Sequence, residues 1–239
     1  MRTERIYVEE AVADEFEAEL ARRVAGLRQA PPEGSAPHDL GAVTFARQIA
    51  TVERHIEDAV AKGARVVTGG ARSAGNGSFF APTVLAGASH DMAVMREETF
   101  GPLVPVMRVA NADEAVRLAN ESHLGLNATV FGAAAEARRV ARRLESGSVI
   151  VNDVLVNYFV VEAPLGGWKE SGLGARHGVE ALRQWTRLTA ITEPRLGFSL
   201  VGRFVASRLA FPYDPRVLGV LRRAMRFLYG SGLRRKVGL

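Results

Sequence analysis

The stretch that most limits how this chain can fold is residues 103–151, where short apolar runs alternate with helical patterns. Leu103 to Val109 is a nearly continuous apolar run of strand length. Asn111 then stands as an N-cap, with Asp113 and Glu114 in the first turn of a helix reaching Asn120. Residues 125–131 read as a strand, 134–144 as a basic helix and 147–151 as a strand. Strands separated by helices are joined by crossovers rather than hairpins, and crossovers make parallel neighbours. The expected fold is α/β: an open, mostly parallel sheet covered by helices.

The flanks fit this scheme. Arg5-Ile6-Tyr7-Val8 reads as a short buried strand, and Val12, Phe16, Leu20, Val24 and Leu27 recur at three- and four-residue spacing, as in a helix with one apolar stripe. A second helix is expected over 45–62, closed by Gly63. Residues 64–70 and 79–85 read as extended, while 29–39 and 73–78 carry the proline, glycine and serine of loops. Beyond Val151 the alternation stops. Residues 152–162 form an apolar connection, long for a compact domain, which is where functional loops are found. Residues 164–174 are dense in glycine, so backbone must come close to something there. A helix over 179–185 and a strand over 188–192 precede Pro194.

Composition narrows the chemistry. The chain has no cysteine, which excludes from it disulfides, thiolate metal sites and cysteine nucleophiles. No apolar leader follows Met1 and no run approaches the ~20 apolar residues of a membrane span, so a cytoplasmic protein is expected. The five histidines, at 38, 55, 90, 123 and 177, lack paired metal-ligand spacing; each reads as a surface or loop residue, and no metal is expected. Glycines 172, 174 and 178 are spaced one residue too long for a dinucleotide fingerprint, and no phosphate loop occurs.

The net charge of +5 hides an asymmetry. Residues 195–239 hold nine arginines and Lys236 against Asp214 alone, whereas residues 1–194 hold 21 cations and 25 anions. In the basic segment Val217, Leu218, Leu221, Met225 and Leu228 alternate with Arg216, Arg222, Arg223 and Arg226, the pattern of a basic amphipathic helix. That pattern suits a membrane surface; it also suits packing over a substrate mouth or a partner subunit with the arginines in water.

Directly before the strand at Leu103 stands Arg96-Glu97-Glu98-Thr99-Phe100-Gly101-Pro102. Its Gly-Pro pair fixes a turn just where two carboxylates and an aromatic are presented. A carboxylate beside a ring suits sugar hydroxyls and a flat heterocycle; solvated acids on a plain connection are the other reading.

Several stretches together resemble the aldehyde dehydrogenase superfamily. Glu97-Glu98-Thr99-Phe100-Gly101-Pro102 is similar to its Glu-x-Phe-Gly-Pro element, and Gly125-Leu126-Asn127 to its Gly-Leu-[Ser/Ala/Asn] segment. Pro164-Leu165-Gly166-Gly167-Trp168-Lys169-Glu170-Ser171-Gly172 resembles its Pro-Phe-Gly-Gly-x-Lys-x-Ser-Gly turn, with Leu165 in place of Phe. Arg5-Ile6-Tyr7-Val8 and the Gly63-Ala64 … Gly69-Gly70 pattern fall in the same order, so the likeness covers residues 1 to about 192. Asn152-Asp153-Val154-Leu155-Val156 and Phe211-Pro212-Tyr213 lean toward a class-3-like branch.

The resemblance implies NAD- or NADP-dependent oxidation of an aldehyde to a carboxylic acid: a cysteine thiolate attacks the carbonyl, hydride passes to the nicotinamide, and a glutamate activates the hydrolytic water. By the same resemblance Glu98 would hold the nicotinamide ribose, Phe100 would pack near the nicotinamide, and Gln48 would sit at a cofactor-ribose contact, although Thr51 departs from a lysine often found nearby. Asn152, Tyr158 and Phe159 would line an apolar aldehyde entrance. Residues 188–194 would join a subunit interface by sheet extension, giving a catalytic domain over 1–187, an oligomerisation strand over 188–194 and a basic tail over 195–239.

The family places its nucleophilic cysteine just ahead of Met1, and its general-base glutamate, oxyanion-hole asparagine and Rossmann cofactor domain further upstream. The expectation is a C-terminal catalytic-domain half, cut after the nucleophile, with no catalytic residue of its own and no turnover in isolation. Expected partners are a small aldehyde, further copies or a full-length homologue, and a membrane surface reached by the tail, but not nucleic acid. Two other readings stand beside the enzyme fragment: a catalytically dead oligomerisation or regulatory module docking on intact homologues, and a membrane-surface adaptor.

Overall fold

The computed structural model describes residues 3–31, 37–73, 77–193, 200, 203, 207 and 215–229. Contacts divide the chain into two units, Met1–Thr186 and Arg187–Leu239. In the first unit β1 (Ile6–Glu9), β2 (Arg65–Thr68), β3 (Thr83–Ala86) and β4 (Leu103–Val109) form a sheet in the order β1-β4-β3-β2. The first three of these in space are parallel, and β2 joins antiparallel at the edge.

Successive side chains of a strand point to opposite faces. On one face Val8, Val84 and Val106 pack with Ala13, Leu20 and Val24 of α1 (Glu10–Ala25). On the other, Leu85 and Leu103 pack with Ile49, Val52, Ile56 and Ala59 of α2 (Ala46–Ala61), and with Val94 and Met95 of α3 (Ala93–Arg96). The sheet is therefore the middle of three layers, and its apolar strands are covered on both sides.

The stripe expected on α1 needs correction. Val12 and Phe16 are exposed, while Ala13 and Glu17 are buried. The reason lies in the strand beneath: Arg108, on the same face of β4 as Val106, meets Glu10, Asp14 and Glu17 at 3.1, 2.6 and 2.9 Å. Those three acids share one side of the helix, where Glu17 is turned inward although it is charged, while Glu10 and Asp14 reach Arg108 from the exposed margin. The hydrogen bonds to Glu17, then Asp14 and Glu10, hold the Arg108 pKa above its ordinary value.

After β4 come α4 (Ala112–Asn120), β5 (Leu124–Gly125), β6 (Asn127–Val130), α5 (Ala134–Ala141), β7 (Ser148–Val151), α6 (Val156–Phe159), β8 (Trp168–Lys169) and α7 (Gly178–Arg183). Asn111 caps α4 as expected, its Oδ1 accepting from the Glu114 N–H at 3.0 Å. The alternation is present, but it does not extend a single open sheet. Instead β6 and β7 pair in parallel as a separate ribbon, and β5 pairs antiparallel with β8. Around Gly125 the chain is shared between the two small ribbons. Its N–H donates to Ser171 Oγ at 2.8 Å, it pairs with Trp168 in β8, and its carbonyl accepts from the Gly147 N–H at 3.0 Å in line with the β6–β7 pairing.

In the second unit, residues 188–192 pair with no strand among the described residues, and Leu188 and Ile191 are 98% and 92% exposed. The strand expected there is not formed within this chain, because a strand exists only against a neighbour that completes its hydrogen bonds. The amphipathic pattern is a helix, α8 (Pro215–Tyr229). Pro194 and Phe211-Pro212-Tyr213 lie outside the described residues.

Candidate functional site

The turn before β4 is organised from Thr99 outward. Thr99 is fully buried, while Glu98 and Phe100 on either side of it are exposed. All three polar groups of Thr99 are engaged. Its N–H donates to Glu4 Oε2 at 3.0 Å, its Oγ1 bonds His55 Nδ1 at 2.9 Å, and its carbonyl accepts from the Gln48 side-chain amide.

Gln48, Val52 and His55 lie on one face of α2, at the spacing that aligns side chains along a helix. Between the two polar contacts the turn presses directly on the helix: a Cβ on Gly101 would fall 2.2 Å from Val52 Cγ2. The clamp holds Phe100 at φ 44°, a region that bulky residues rarely adopt. Strain of this kind persists where neighbours over-determine the backbone, and it marks candidate functional turns.

The two adjacent carboxylates have different work. Glu97 bonds Arg54 at 2.8 Å and His55 Nε2 at 3.2 Å; Arg54 first and His55 second hold its carboxyl below the usual range. Glu98 has no hydrogen bond or ion pair among the described residues and is exposed, as is Phe100. Gln48, grouped with Glu98 by the sequence, is half-buried with its amide given to Thr99, so it braces the turn from beneath. His55 corrects the surface assignment given to all five histidines: it is fully buried, and both its nitrogens bond the turn. The available signal was its alignment with Gln48 and Val52 along α2.

Asn152 lies just past the C-terminal end of the β6–β7 ribbon. The chain then turns back, so that α6, with Tyr158 and Phe159, sits at the start of the ribbon, where Asn157 donates to Asn127 Oδ1 at 2.9 Å and to Ser148 Oγ at 2.8 Å. The structure does not bring the three expected entrance residues together. The Asn152 side chain accepts from the Gly132 N–H and donates to the Gly132 carbonyl, both at 2.9 Å, which ties the ends of β6 and β7 together. The connection 152–162 is not wholly irregular, since it contains α6. Tyr158 and Phe159 are exposed on that turn, edge to face at 5.9 Å, with Val154, Leu155, Val160 and Val161 exposed nearby in the chain. The close approach expected of 164–174 is an approach of the chain to itself: a Cβ on Gly147 would lie 1.8 Å from the Gly166 carbonyl oxygen.

A cleft of about 310 Å³ opens beside Arg96, lined also by His90, Met95, Glu121, Ser122 and His123. On its wall Tyr7 Oη meets His90 Nε2 at 2.8 Å, and His90 Nδ1 meets Glu121 Oε2 at 3.3 Å. Burial pushes the Tyr7 hydroxyl up to about 12 and lowers the His90 pKa from 6.5, with Glu121 opposing that fall and Arg5 and Arg117 adding to it. A base whose pKa is lowered by folding takes up its proton more readily when unfolded. His90 therefore contributes fully above pH 6.5, and the contribution is lost as pH falls below that value toward the folded pKa. Urea midpoints measured from about pH 7.5 to 5 are expected to fall less steeply in His90→Gln than in the native chain; equal slopes would refute the assignment.

Fold and turn together define a class: a layered α/β domain in which a clamped, strained turn holds one uncommitted carboxylate and one ring in solvent. The chain belongs to the aldehyde dehydrogenase family, whose model matches residues 1–191. A 4,4'-diapolycopene aldehyde oxidase from Methylomonas sp is 39% identical over 230 residues, 95% of this chain and 41% of that protein. Among solved structures, a succinate-semialdehyde dehydrogenase from Burkholderia pseudomallei superposes with a TM-score of 0.70 at 40% identity, covering 77% of this chain and 38% of that one. A betaine aldehyde dehydrogenase from Staphylococcus aureus, in complex with NAD+, gives 0.71 at 34% identity, covering 76% and 37%. The chain thus spans about two fifths of the length of these relatives. The Methylomonas match, at 95% of the chain, necessarily continues beyond residue 191, where the family model ends.

Proposed function

We propose that this chain is the cofactor-clasping part of the catalytic half of an NAD(P)-dependent aldehyde dehydrogenase of the class-3-like branch, which oxidises an aldehyde to a carboxylic acid in the cytoplasm. The observation that carries this reading is the division of labour in the turn, where Thr99 is consumed by anchoring and Glu98 has no partner among the described residues. The residues present fit a nicotinamide nucleotide. A carboxylate accepts hydrogen bonds from a ribose diol, and an exposed ring offers a face or edge to a flat heterocycle. When bound, the nicotinamide supplies the hydride acceptor.

The chain's own residues do the positioning. Glu98 orients the ribose, Phe100 limits where the ring can lie, and Gln48 and His55 act through Thr99. The Glu4–Thr99 bond also holds the start of the chain against the turn, the end at which the family resemblance puts the nucleophile. With no cysteine, the isolated chain is inactive. A nonpolar aldehyde suits the exposed apolar residues around Tyr158 and Phe159, and the name of the Methylomonas relative points the same way. A second reading, docking on further copies or on a full-length homologue through residues 188–194, is favoured by the exposure of Leu188 and Ile191.

The test is kinetic, in an enzyme that joins this segment to a dinucleotide-binding half. Glu98→Gln is expected to lower kcat/KM for the nicotinamide cofactor by ~10- to 100-fold, the size of a lost charged hydrogen bond. Cofactor kinetics unchanged in this variant would overturn the proposal.

A further inference from the structure

We infer that α8 is an interfacial helix that lies on anionic lipid. At 100° per residue, Arg216, Arg222, Arg223 and Arg226 fall within an arc roughly 120° wide, with Arg222 and Arg216 at its two borders. Val217, Leu218 and Met225 occupy the opposite side, and Val220 and Phe227 sit next to Arg216. Leu218, Val220, Met225 and Phe227 are all exposed, as are the four arginines. The exposed apolar side chains thus stand on both flanks of the basic arc, with Val217 half-buried between them, and such a helix is an interface without its counterpart along those flanks.

Charge identifies the counterpart. The sequence holds no Asp or Glu from 215 to 229. In the first unit arginines are commonly paired: Arg28 with Asp39, Arg54 with Glu97, Arg72 with Glu53 and Arg143 with Asp113. Arg222, Arg223 and Arg226 have no carboxylate partner among the described residues. An occupant must therefore supply several negative charges along one line and an apolar medium a few ångströms below it. Lipid phosphates above acyl chains do both at once, and arginine reaches the phosphate level while its stem stays in the apolar layer.

Length sets the orientation. Fifteen residues make a helix of about 22 Å, short of the ~30 Å hydrocarbon core. No helix among the described residues is long and apolar enough to cross a membrane. The helix lies in the plane of the surface, with the side that carries Val217 toward the acyl chains and Met225 and Phe227 at its two flanks.

Co-sedimentation of the full chain with vesicles tests this. We expect binding to phosphatidylcholine vesicles containing about 30% phosphatidylglycerol at low salt, at least ~10-fold tighter than to phosphatidylcholine alone, and largely lost near 0.5 M NaCl. Each of Arg216→Gln, Arg222→Gln, Arg223→Gln and Arg226→Gln is expected to weaken binding about fivefold. The pair Val220→Asp and Phe227→Asp is expected to abolish it, with circular dichroism checking that the first unit stays folded. Equal binding to both vesicle types, or none to either, overturns the inference. So does a dimer in light scattering that the aspartate pair dissolves while vesicles are ignored, since the apolar side would then belong to a second copy. None of these readouts depends on cofactor or turnover, so they stand apart from the Glu98 experiment.

Discussion

Replacing Arg108 with methionine is expected to lower the thermal midpoint of unfolding by about 10 °C. The guanidinium is the main counter-charge of Glu17, whose side chain is only 7% exposed in the layer between α1 and the sheet. Without it, the remaining cation is Arg65, which is itself exposed and 3.8 Å away. A carboxylate left in that layer has lost its hydration and not regained it, which costs far more than a surface ion pair contributes. The companion variant separates this cause from simple loss of packing. Adding Glu17→Leu to Arg108→Met puts two apolar side chains where the ions were, and it is expected to recover most of the loss in calorimetry. A double variant as unstable as the single one would show that charge burial is not the mechanism.

Thr99→Val keeps the volume of the buried anchor and removes only its hydroxyl. His55, fully buried, then loses the partner of Nδ1, and a buried polar atom left without one costs about 2 kcal/mol. The loss should appear in urea unfolding and should shrink when His55 is also made apolar, because the two changes remove one shared bond. In an assembled dehydrogenase the same variant is expected to weaken the nicotinamide cofactor without touching it, since the turn that presents Glu98 is released. Native stability in Thr99→Val would mean that the turn is held from elsewhere.

These two sites mark the boundary of what could be read from the chain. The strand at Leu103, the capped helix at Asn111 and the turn before Pro102 were legible because each rests on local chemistry: an apolar run, a side-chain cap, a Gly-Pro break. Glu98 and Phe100 came with that turn. Glu17 was not legible, because its partner Arg108 is 91 residues away and the helix pattern assigned inward positions to apolar residues alone. His55 was missed for a similar reason, standing 44 residues from the hydroxyl that explains its burial. The single open sheet failed after β4, where the later strands pair among themselves, β5 with β8 and β6 with β7, pairings set by residues far apart in sequence. Residues 188–192 carry a strand pattern that one chain cannot express, since half of its hydrogen bonds must come from another strand.

The hydrogen bonds that anchor Thr99, between Glu98 and Phe100, come from Glu4, Gln48 and His55, on segments that meet only when the start of β1, α2 and the turn are all in place. The conformational entropy of that turn is therefore surrendered once, during folding, before any ligand reaches Glu98 and Phe100. A ligand arriving there meets a template already shaped, and its binding is governed by collision and orientation rather than by rearrangement of the turn.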